Sequence, residues 1–257
     1  MIQNRHFDVV VATDPGPVVV EIPHAGVVID ADAARFTKIP NEASAAGAVL
    51  SDSDVGADLL WEGSEARRVT RVVARASRHV IDLNTEPIFP TPYEEKMPDA
   101  MRQIRHRSQC GVAWWVDPLP RAELERRVRE VFDPYHATVA ARLDEARAAH
   151  GFAILFSAHT YPARDGDPDV VIGTRDGASA SSSLRDAIAS ALRAAGLAIA
   201  LEHPFPGAYS LARHARPTER VSALQLEVHR ALAHRADVAS ALAHAARIAA
   251  EAGAATG

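Results

Sequence analysis

Cysteine is nearly absent from this sequence of 257 residues, in which Cys110 stands alone. A single cysteine excludes both an internal disulfide framework and a cysteine-rich zinc module. The chain also has no apolar run near the ~18–20 residues that a membrane span needs. Its N-terminal residues lack the apolar segment of a secretory signal. We therefore expect a cytoplasmic protein that does not associate with membranes.

An excess of positive charge is absent too. Lysine and arginine total 28 against 33 for aspartate and glutamate, which gives a formal net charge of −5. The isoelectric point is near 6.2. Proteins that bind nucleic acids usually carry a basic excess, so we expect no nucleic-acid partner. No Gly-x-Ser-x-Gly motif predicts a serine nucleophile, no His-Glu-x-x-His motif predicts a zinc protease, and no pattern indicates an oligomeric state.

Short apolar runs alternate with segments of helical periodicity, which predicts an α/β protein with a largely parallel sheet. The length is ordinary for one α/β domain, so we expect residues 1–257 to form a single domain. The predicted strands cover residues 18–23, 69–74, 79–83, 152–156, 169–172, 197–201 and 221–228.

Helices are predicted between and after these strands, over residues 54–65, 121–150, 183–196 and 231–252. Pro134 lies inside the second helix, so we expect a kink or two shorter helices there. Gly151 supplies a C-terminal stop for that helix. Ser183 and Asp186 resemble a capping box at the start of the third helix.

Polar side chains collect where the predicted strands end. Open parallel sheets bind ligands beyond the carboxyl ends of their strands, so residues at these ends are candidates for one site. Two histidines, two carboxylates, two amides and an arginine at one edge are typical of a metal-assisted hydrolase. In chain order, these residues are His24, Asp82, Asn84, His159, Gln225, Glu227 and Arg230.

A catalytic zinc ion takes three nitrogen or oxygen ligands from the protein and keeps one position open for water. It lowers the pKa of that water towards ~7. His24 and His159 are the candidate nitrogen ligands, and Asp52 or Asp54 could be the third. Glu227, on the polar face of its strand, is the candidate general base that moves the water proton to the leaving amine.

Each of these side chains also has a purely structural interpretation. Asp52 and Asp54 could cap the helix that follows them, because aspartate is favoured at helix N-termini. Arg78 could pair with Asp82, and Asn84 could stabilise a turn. A basic cluster is interpreted as a solvated face or a loop anchor, and it comprises Arg102, Arg105, His106 and Arg107.

Several short segments between Val18 and Arg230 carry a family resemblance: Pro23-His24-Ala25-Gly26, Asp52-Ser53-Asp54, residues 77–84, Pro134-Tyr135-His136, Ala158-His159, Pro168-Asp169 with Ile172-Gly173, and Gln225-Leu226-Glu227. Together they resemble the N-formylglutamate amidohydrolase family. The resemblance implies a mixed, largely parallel α/β sheet with helices on both faces, similar to zinc carboxypeptidases and aspartoacylases. It also implies hydrolysis of N-formyl-L-glutamate, or a related N-acyl amino acid, to formate and glutamate, a last step of histidine degradation.

The resemblance assigns roles as well. His24 and His159 match metal-ligand positions, and Glu227 matches the catalytic carboxylate. Asp54 as the third ligand is our own inference, with Asp52 as the alternative. Zinc is the expected metal, although a site of imidazoles and a carboxylate also accepts cobalt, nickel or iron.

Arg78 and Asn84 match positions that hold the substrate carboxylate. Three departures from the family pattern concern the substrate and the site, and one of them is Gly207-Ala208 where the family has a Gly-Gly pair. The family usually has arginine where this chain has Thr85, and it usually has aspartate where this chain has Ser157. Threonine cannot clamp a carboxylate as arginine does, so a hydrolase of a different acylated substrate is one alternative. The missing aspartate at position 157 supports the other, a ligand-binding relative without activity. The arginines that could supply the missing charge are Arg75, Arg213 and Arg230.

Overall fold

The computed structural model describes residues 2–39, 42–63, 68–87, 104–105, 107–116, 119–162 and 164–255. They contain one eight-stranded sheet. Its strands are β1 (Ile2–Gln3), β2 (Phe7–Val10), β3 (Val18–Ile22), β4 (Thr70–Ala74), β5 (Ala153–Tyr161), β6 (Val170–Gly173), β7 (Ile199–Leu201) and β8 (Val221–His229).

The strands lie in the order β1-β2-β4-β3-β5-β8-β6-β7. The pairs β3–β4, β3–β5, β5–β8 and β6–β7 are parallel, whereas β1–β2, β2–β4 and β6–β8 are antiparallel. The prediction of a mixed, largely parallel sheet is therefore confirmed. The central strands β3 and β5 are buried along their whole length, as expected for parallel strands covered on both faces.

Helices cover both faces of the sheet, which was also predicted. They are α1 (Ala31–Ala34), α2 (Glu42–Asp52), α3 (Arg121–Arg127), α4 (Asp133–His150), α5 (Ser182–Ala194), α6 (Tyr209–His214) and α7 (Ala236–Ala255). Helix α4 packs on β3, β4 and β5 from one side, and α7 packs on β3 and β5 together with α5 from the other. None of the described helices is long and apolar enough to cross a bilayer.

Alternation along the strands divides the apolar side chains between two cores. Val19 and Leu155 belong to the core under α4, whereas Val20 and Ile154 belong to the core under α5 and α7. The strands β3 and β5 contribute apolar side chains to both cores. Because they are packed on both faces, these strands form a firm support for the polar residues at their carboxyl ends.

Two predicted elements are wrong. Residues 79–83 form a turn rather than a strand. The side chain of Arg127 donates a hydrogen bond to the Val80 carbonyl at 2.9 Å, so this carbonyl does not pair with a neighbouring strand. Of the helix predicted over 54–65, residues 54–63 form turns and one 3₁₀ helix, Leu59–Trp61, instead of an α-helix, and residues 64 and 65 lie outside the described residues. Gly56 there has a φ of +82°, which interrupts helical geometry.

Other boundaries shift. A π-helical turn, Val128–Phe132, joins α3 to α4 directly before Pro134, whose missing N–H interrupts the regular pattern. Gly151 ends α4 in the left-handed conformation, as predicted. The cap of α5 is Ser181 rather than Ser183, and α7 begins only at Ala236. The predicted strand at 152–156 extends to Tyr161, so His159 lies inside β5.

Candidate active site

The predicted site residues converge at the carboxyl edge of the central strands. His24 follows β3, while His159 in β5 and Glu227 in β8 are register partners in adjacent strands. Asp54 follows α2, and its N–H donates to the His24 carbonyl at 2.9 Å. All four side chains border one cavity of about 320 Å³.

His24, Asp54 and His159 form a cluster that we call the open cluster. One ligand atom from each lies within 4.8 Å of the other two. Asp54 Oδ2 lies 2.7 Å from His159 Nδ1 and 3.5 Å from His24 Nδ1. Asp52 borders the same cavity, but its Oδ2 lies 3.1 Å from His79 Nε2. Of the two predicted alternatives, the aspartate beside both histidines is therefore Asp54.

The donor set fits a divalent metal ion. Two imidazole nitrogens and one carboxylate are the three protein ligands of many catalytic zinc sites. The other ring nitrogen of His24, Nε2, donates to Asp82 Oδ1 at 2.9 Å. Asp82 Oδ2 accepts from Arg78 Nη2 at 2.7 Å and lies 3.4 Å from Arg105 Nη2. A carboxylate behind a histidine fixes the ring and its tautomer, as outer partners of metal ligands do.

The open cluster is strongly polarised. Burial alone would raise the pKa of Asp54, but hydrogen bonds and charges from His159 and His24 lower it. Burial would lower the pKa of His159, but the charges of Glu227 and Asp54 raise it to about 9. Burial would also raise the pKa of Asp82, which Arg78 and His24 instead hold well below its usual value. The anionic oxygens thus retain their charge and favour a cation between them.

Glu227 is a second buried carboxylate next to this cluster. Burial raises its pKa to about 7. Its Oε1 accepts a hydrogen bond from Gln225 Nε2 at 2.9 Å. A carboxylate that titrates near neutral pH and borders a cavity is suited to accept and return a proton.

Three arginines border the cavity: Arg78, Arg105 and Arg230. Arg78 pairs with Asp82, which was its predicted structural alternative. Arg230 Nη2 donates to the Ser53 carbonyl at 2.9 Å. The Arg105 side chain is only 12% exposed and lies 3.4 Å from Asp82, so a solvated face is wrong for this residue, whereas the predicted alternative of a loop anchor agrees with the contact.

The other residues that were predicted to bind substrate lie partly at the cavity and partly outside its lining. Asn84 borders the cavity, and its Oδ1 accepts from the Ser210 N–H at 2.9 Å. Thr85 borders it as well. Arg75 lies 3.6 Å from Asp8, and Arg213 donates to the Tyr209 hydroxyl, both away from the cavity lining. Arg102 and His106 lie outside the described residues.

A second buried cluster was missed. Glu21, His136 and His214, which we call the sealed cluster, also bring ligand atoms within 4.8 Å of one another. His136 Nε2 donates to the Leu83 carbonyl at 2.9 Å, so its Nδ1 accepts from His214 Nε2, also at 2.9 Å. The polar residue at position 21, within an otherwise apolar strand, is the one local signal of the cluster, and it does not identify the two histidines.

The sealed cluster is uncharged at the histidines. Burial, with the charges of nearby groups, lowers the pKa of His136 to about 2 and that of His214 to about 3. Burial raises the pKa of Glu21. These shifts all favour the neutral forms.

Comparison with known proteins agrees with this architecture. The sequence model of N-formylglutamate amidohydrolase matches residues 16–233. An N-formylglutamate deformylase of Pseudomonas aeruginosa is 30% identical over 243 residues, covering 87% of each chain. One from Pseudomonas putida is 27% identical over 224 residues, covering 82% of this chain and 79% of the relative. The crystal structure of an N-formylglutamate amidohydrolase from Ralstonia eutropha has a TM-score of 0.75 at 23% identity, covering 98% of this chain and 96% of that one.

The fold and these relatives define a hydrolase that acts on amide bonds. The chain belongs to the N-formylglutamate amidohydrolase family, as the sequence segments predicted. The likeness to zinc carboxypeptidases and aspartoacylases stays a prediction.

Proposed function

We propose that the protein hydrolyses N-formyl-L-glutamate, or a closely related N-acyl amino acid, to formate and glutamate in histidine degradation. In this proposal, residues 1–257 are one catalytic domain that holds a zinc ion through His24, Asp54 and His159. The observation that carries it is the meeting of these three ligand atoms within 4.8 Å beside Glu227 in one cavity. Membership of the family supplies the choice of substrate.

When bound, a divalent ion supplies Lewis acidity to the formyl carbonyl and lowers the pKa of water. Glu227 would take one proton from that water, since its pKa of about 7 lets it act as a base near neutral pH. The water oxygen bonds to the formyl carbon, the C–N bond breaks, and Glu227 returns the proton to the departing amine. The products are formate and the free amino acid.

Two arginines support recognition of the substrate carboxylates. The Nε atoms of Arg105 and Arg230 are buried, and within the described part of the chain neither has a hydrogen-bond partner. A buried donor without an acceptor is costly, and a carboxylate in the cavity would supply the acceptor. Arg230, with Arg105, could thereby provide the charge that Thr85 lacks.

The direct test is formate release by metal-free protein reconstituted with zinc. We expect turnover of N-formyl-L-glutamate in the usual enzyme range of ~1–10³ s⁻¹. N-formyl-L-glutamine, which lacks the side-chain charge, should show a clearly higher KM. Arg105→Ala and Arg230→Ala should raise KM for N-formyl-L-glutamate, whereas Arg75→Ala, outside the cavity lining, should not.

Each other outcome has a definite meaning. Cleavage of N-acyl amino acids without a side-chain carboxylate, at rates that exceed those for N-formyl-L-glutamate, would establish the alternative deacylase. Absence of product from folded, zinc-loaded protein with every substrate of such a panel would contradict the proposal and favour a ligand-binding relative.

A further inference from the structure

The two histidines of the open cluster have different partners on their outer nitrogens. His24 Nε2 donates directly to the buried carboxylate of Asp82 at 2.9 Å. His159 Nε2 lies 3.1 Å from the Ser157 hydroxyl oxygen and 3.3 Å from Asn84 Nδ2. Neither of these partners is charged. The outer side of His159 therefore lacks the carboxylate that orients His24.

Only one of the two neutral partners can accept a proton from His159. The Oδ1 atom of Asn84 accepts from the Ser210 N–H, which leaves its amide nitrogen, a donor, facing His159. A metal ion at His159 Nδ1 requires the ring proton on Nε2. The acceptor for that proton must then be Ser157 Oγ, and the Ser157 hydroxyl proton must point in another direction.

Glu21 is the acceptor towards which the Ser157 hydroxyl proton can point. It is the register partner of Ser157 in the adjacent parallel strand, so both side chains emerge on the same face of the sheet. Glu21 is 0% exposed, and neither carboxylate oxygen has a hydrogen bond of normal geometry with the described residues. The Ser210 and Ser157 hydroxyls, together with the charges of His159 and His24, oppose the rise in its pKa on burial.

We propose that Glu21 is a positioning residue of the metal site, acting on His159 through Ser157. An oxygen of its carboxyl group, which can be neutral, accepts a hydrogen bond from the Ser157 hydroxyl, and the Ser157 oxygen then accepts one from His159 Nε2–H. This chain of two hydrogen bonds holds the His159 ring with Nδ1 towards Asp54 and the metal. The inference rests on the proposed metal site and extends it to a residue in the neighbouring strand.

The test measures zinc affinity by competition with a chromophoric chelator, together with the absorption spectrum of the cobalt-loaded protein. Loss of an outer partner typically weakens metal binding by about 10–100-fold. We expect that loss for Glu21→Leu and for Ser157→Ala, with an altered cobalt spectrum. Glu21→Gln keeps an acceptor oxygen and should stay within about threefold of the parent protein.

Two combined variants separate this role from a merely structural one. Because both residues act along one path, Glu21→Leu with Ser157→Ala should bind zinc no more weakly than either single variant. Glu21→Ser with Ser157→Asp moves the carboxylate one strand across and should restore affinity. The control is His214→Gln, which alters the neighbourhood of Glu21 without touching His159 and should leave zinc affinity unchanged.

Unchanged zinc affinity and cobalt spectrum in Ser157→Ala, or additive losses in the double variant, would overturn the inference while leaving the proposed function intact. If Glu21→Leu does not fold, Ser157→Ala and the exchanged pair still decide the question. If the parent protein itself binds no zinc, both the proposed metal site and this inference are wrong.

Discussion

The open cluster and the sealed cluster contain the same kinds of side chain at similar spacing, yet their chemistry differs. Each has two histidines and one carboxylate, with ligand atoms within 4.8 Å. The open cluster borders the cavity, whereas the residues of the sealed cluster are at most 1% exposed and are absent from the described cavity lining. Proximity of ligand-type side chains therefore does not by itself define a metal site.

Charge distinguishes the two clusters further. In the open cluster, Asp54 remains ionised and the pKa of His159 is raised to about 9. In the sealed cluster, the pKa values of His136 and His214 are lowered to about 2 and 3. The sealed histidines satisfy each other and the Leu83 carbonyl by hydrogen bonds. A cation is favoured in the open cluster, where anionic oxygens border the cavity. In the sealed cluster, hydrogen bonds between neutral groups satisfy the buried polar atoms without a cation.

Removal of one histidine from each cluster should give the largest difference between the two clusters. His159→Ala should abolish stoichiometric zinc binding and amide hydrolysis, because two ligands seldom retain a catalytic zinc ion. His136→Gln should bind zinc as the parent protein does. Metal analysis after dialysis, with a formate assay, measures both. Equal zinc loss in the two variants would show that the clusters do not have separate roles.

The proton-transfer role of Glu227 gives the next largest effect. Glu227→Gln keeps the size of the side chain but cannot accept a proton, so kcat should fall by about 10²–10⁴-fold. Zinc content should remain that of the parent protein, as Glu227 is outside the open cluster. Loss of zinc in this variant would instead make Glu227 a ligand. The control is Glu202→Gln, a carboxylate that is absent from the described cavity lining.

Much of the open cluster could be predicted from the sequence, whereas the sealed cluster could not. His24 directly follows β3 and Glu227 lies in β8, and the apolar run of the first and the alternation of the second are local signals. Strand ends meet at one edge in any parallel sheet. Glu21 lies inside such a run, where one polar residue does not disturb a strand prediction. Its partners His136 and His214 lie on α4 and α6, and no local pattern relates them to it.

A tertiary contact explains one of the two elements that were predicted wrongly, and another explains the burial of Arg105. Val80 and Ile81 in residues 79–83 have high β-propensity. However, Arg127, which lies on α3 and is distant in sequence, donates a hydrogen bond to the Val80 carbonyl. Arg105 contacts Asp82 across a segment that sequence spacing does not constrain. Both contacts depend on how the helix and loop pack against the sheet, which a single sequence does not encode locally.

Acid stability should differ between variants of the two clusters. His136 and His214 are neutral in the folded protein but titrate near pH 6.5 when unfolded, so the unfolded state binds more protons below that value. Their contribution to stability is complete above pH 6.5 and is lost as pH falls. Each imidazole contributes a loss of about 1 kcal/mol between pH 6.5 and 5.5, because the unfolded imidazole is already half protonated at pH 6.5.

Urea unfolding of the metal-free protein at these two pH values checks this prediction. His214→Gln should remove one such contribution from the pH-dependent loss. His159→Gln should not, because the pKa of His159 is raised to about 9 and both states are protonated below pH 6.5. His159 instead contributes stability below pH 6.5 that is lost as pH rises through 9. An equal acid loss in the parent protein and His214→Gln would contradict the neutral sealed cluster.

The smallest expected effect is the structural contribution of the sealed cluster at neutral pH. His214→Leu removes the donor to His136 Nδ1 and leaves a buried acceptor without a partner. We expect the free energy of unfolding to fall by about 2 kcal/mol, the usual cost of such a group. His214→Gln, which can still donate, should lose about half as much. Zinc affinity should stay within about threefold in both variants, because the sealed cluster stabilises the fold without ligating the metal. A large fall in zinc affinity with little loss of stability would instead make His214 part of the metal site.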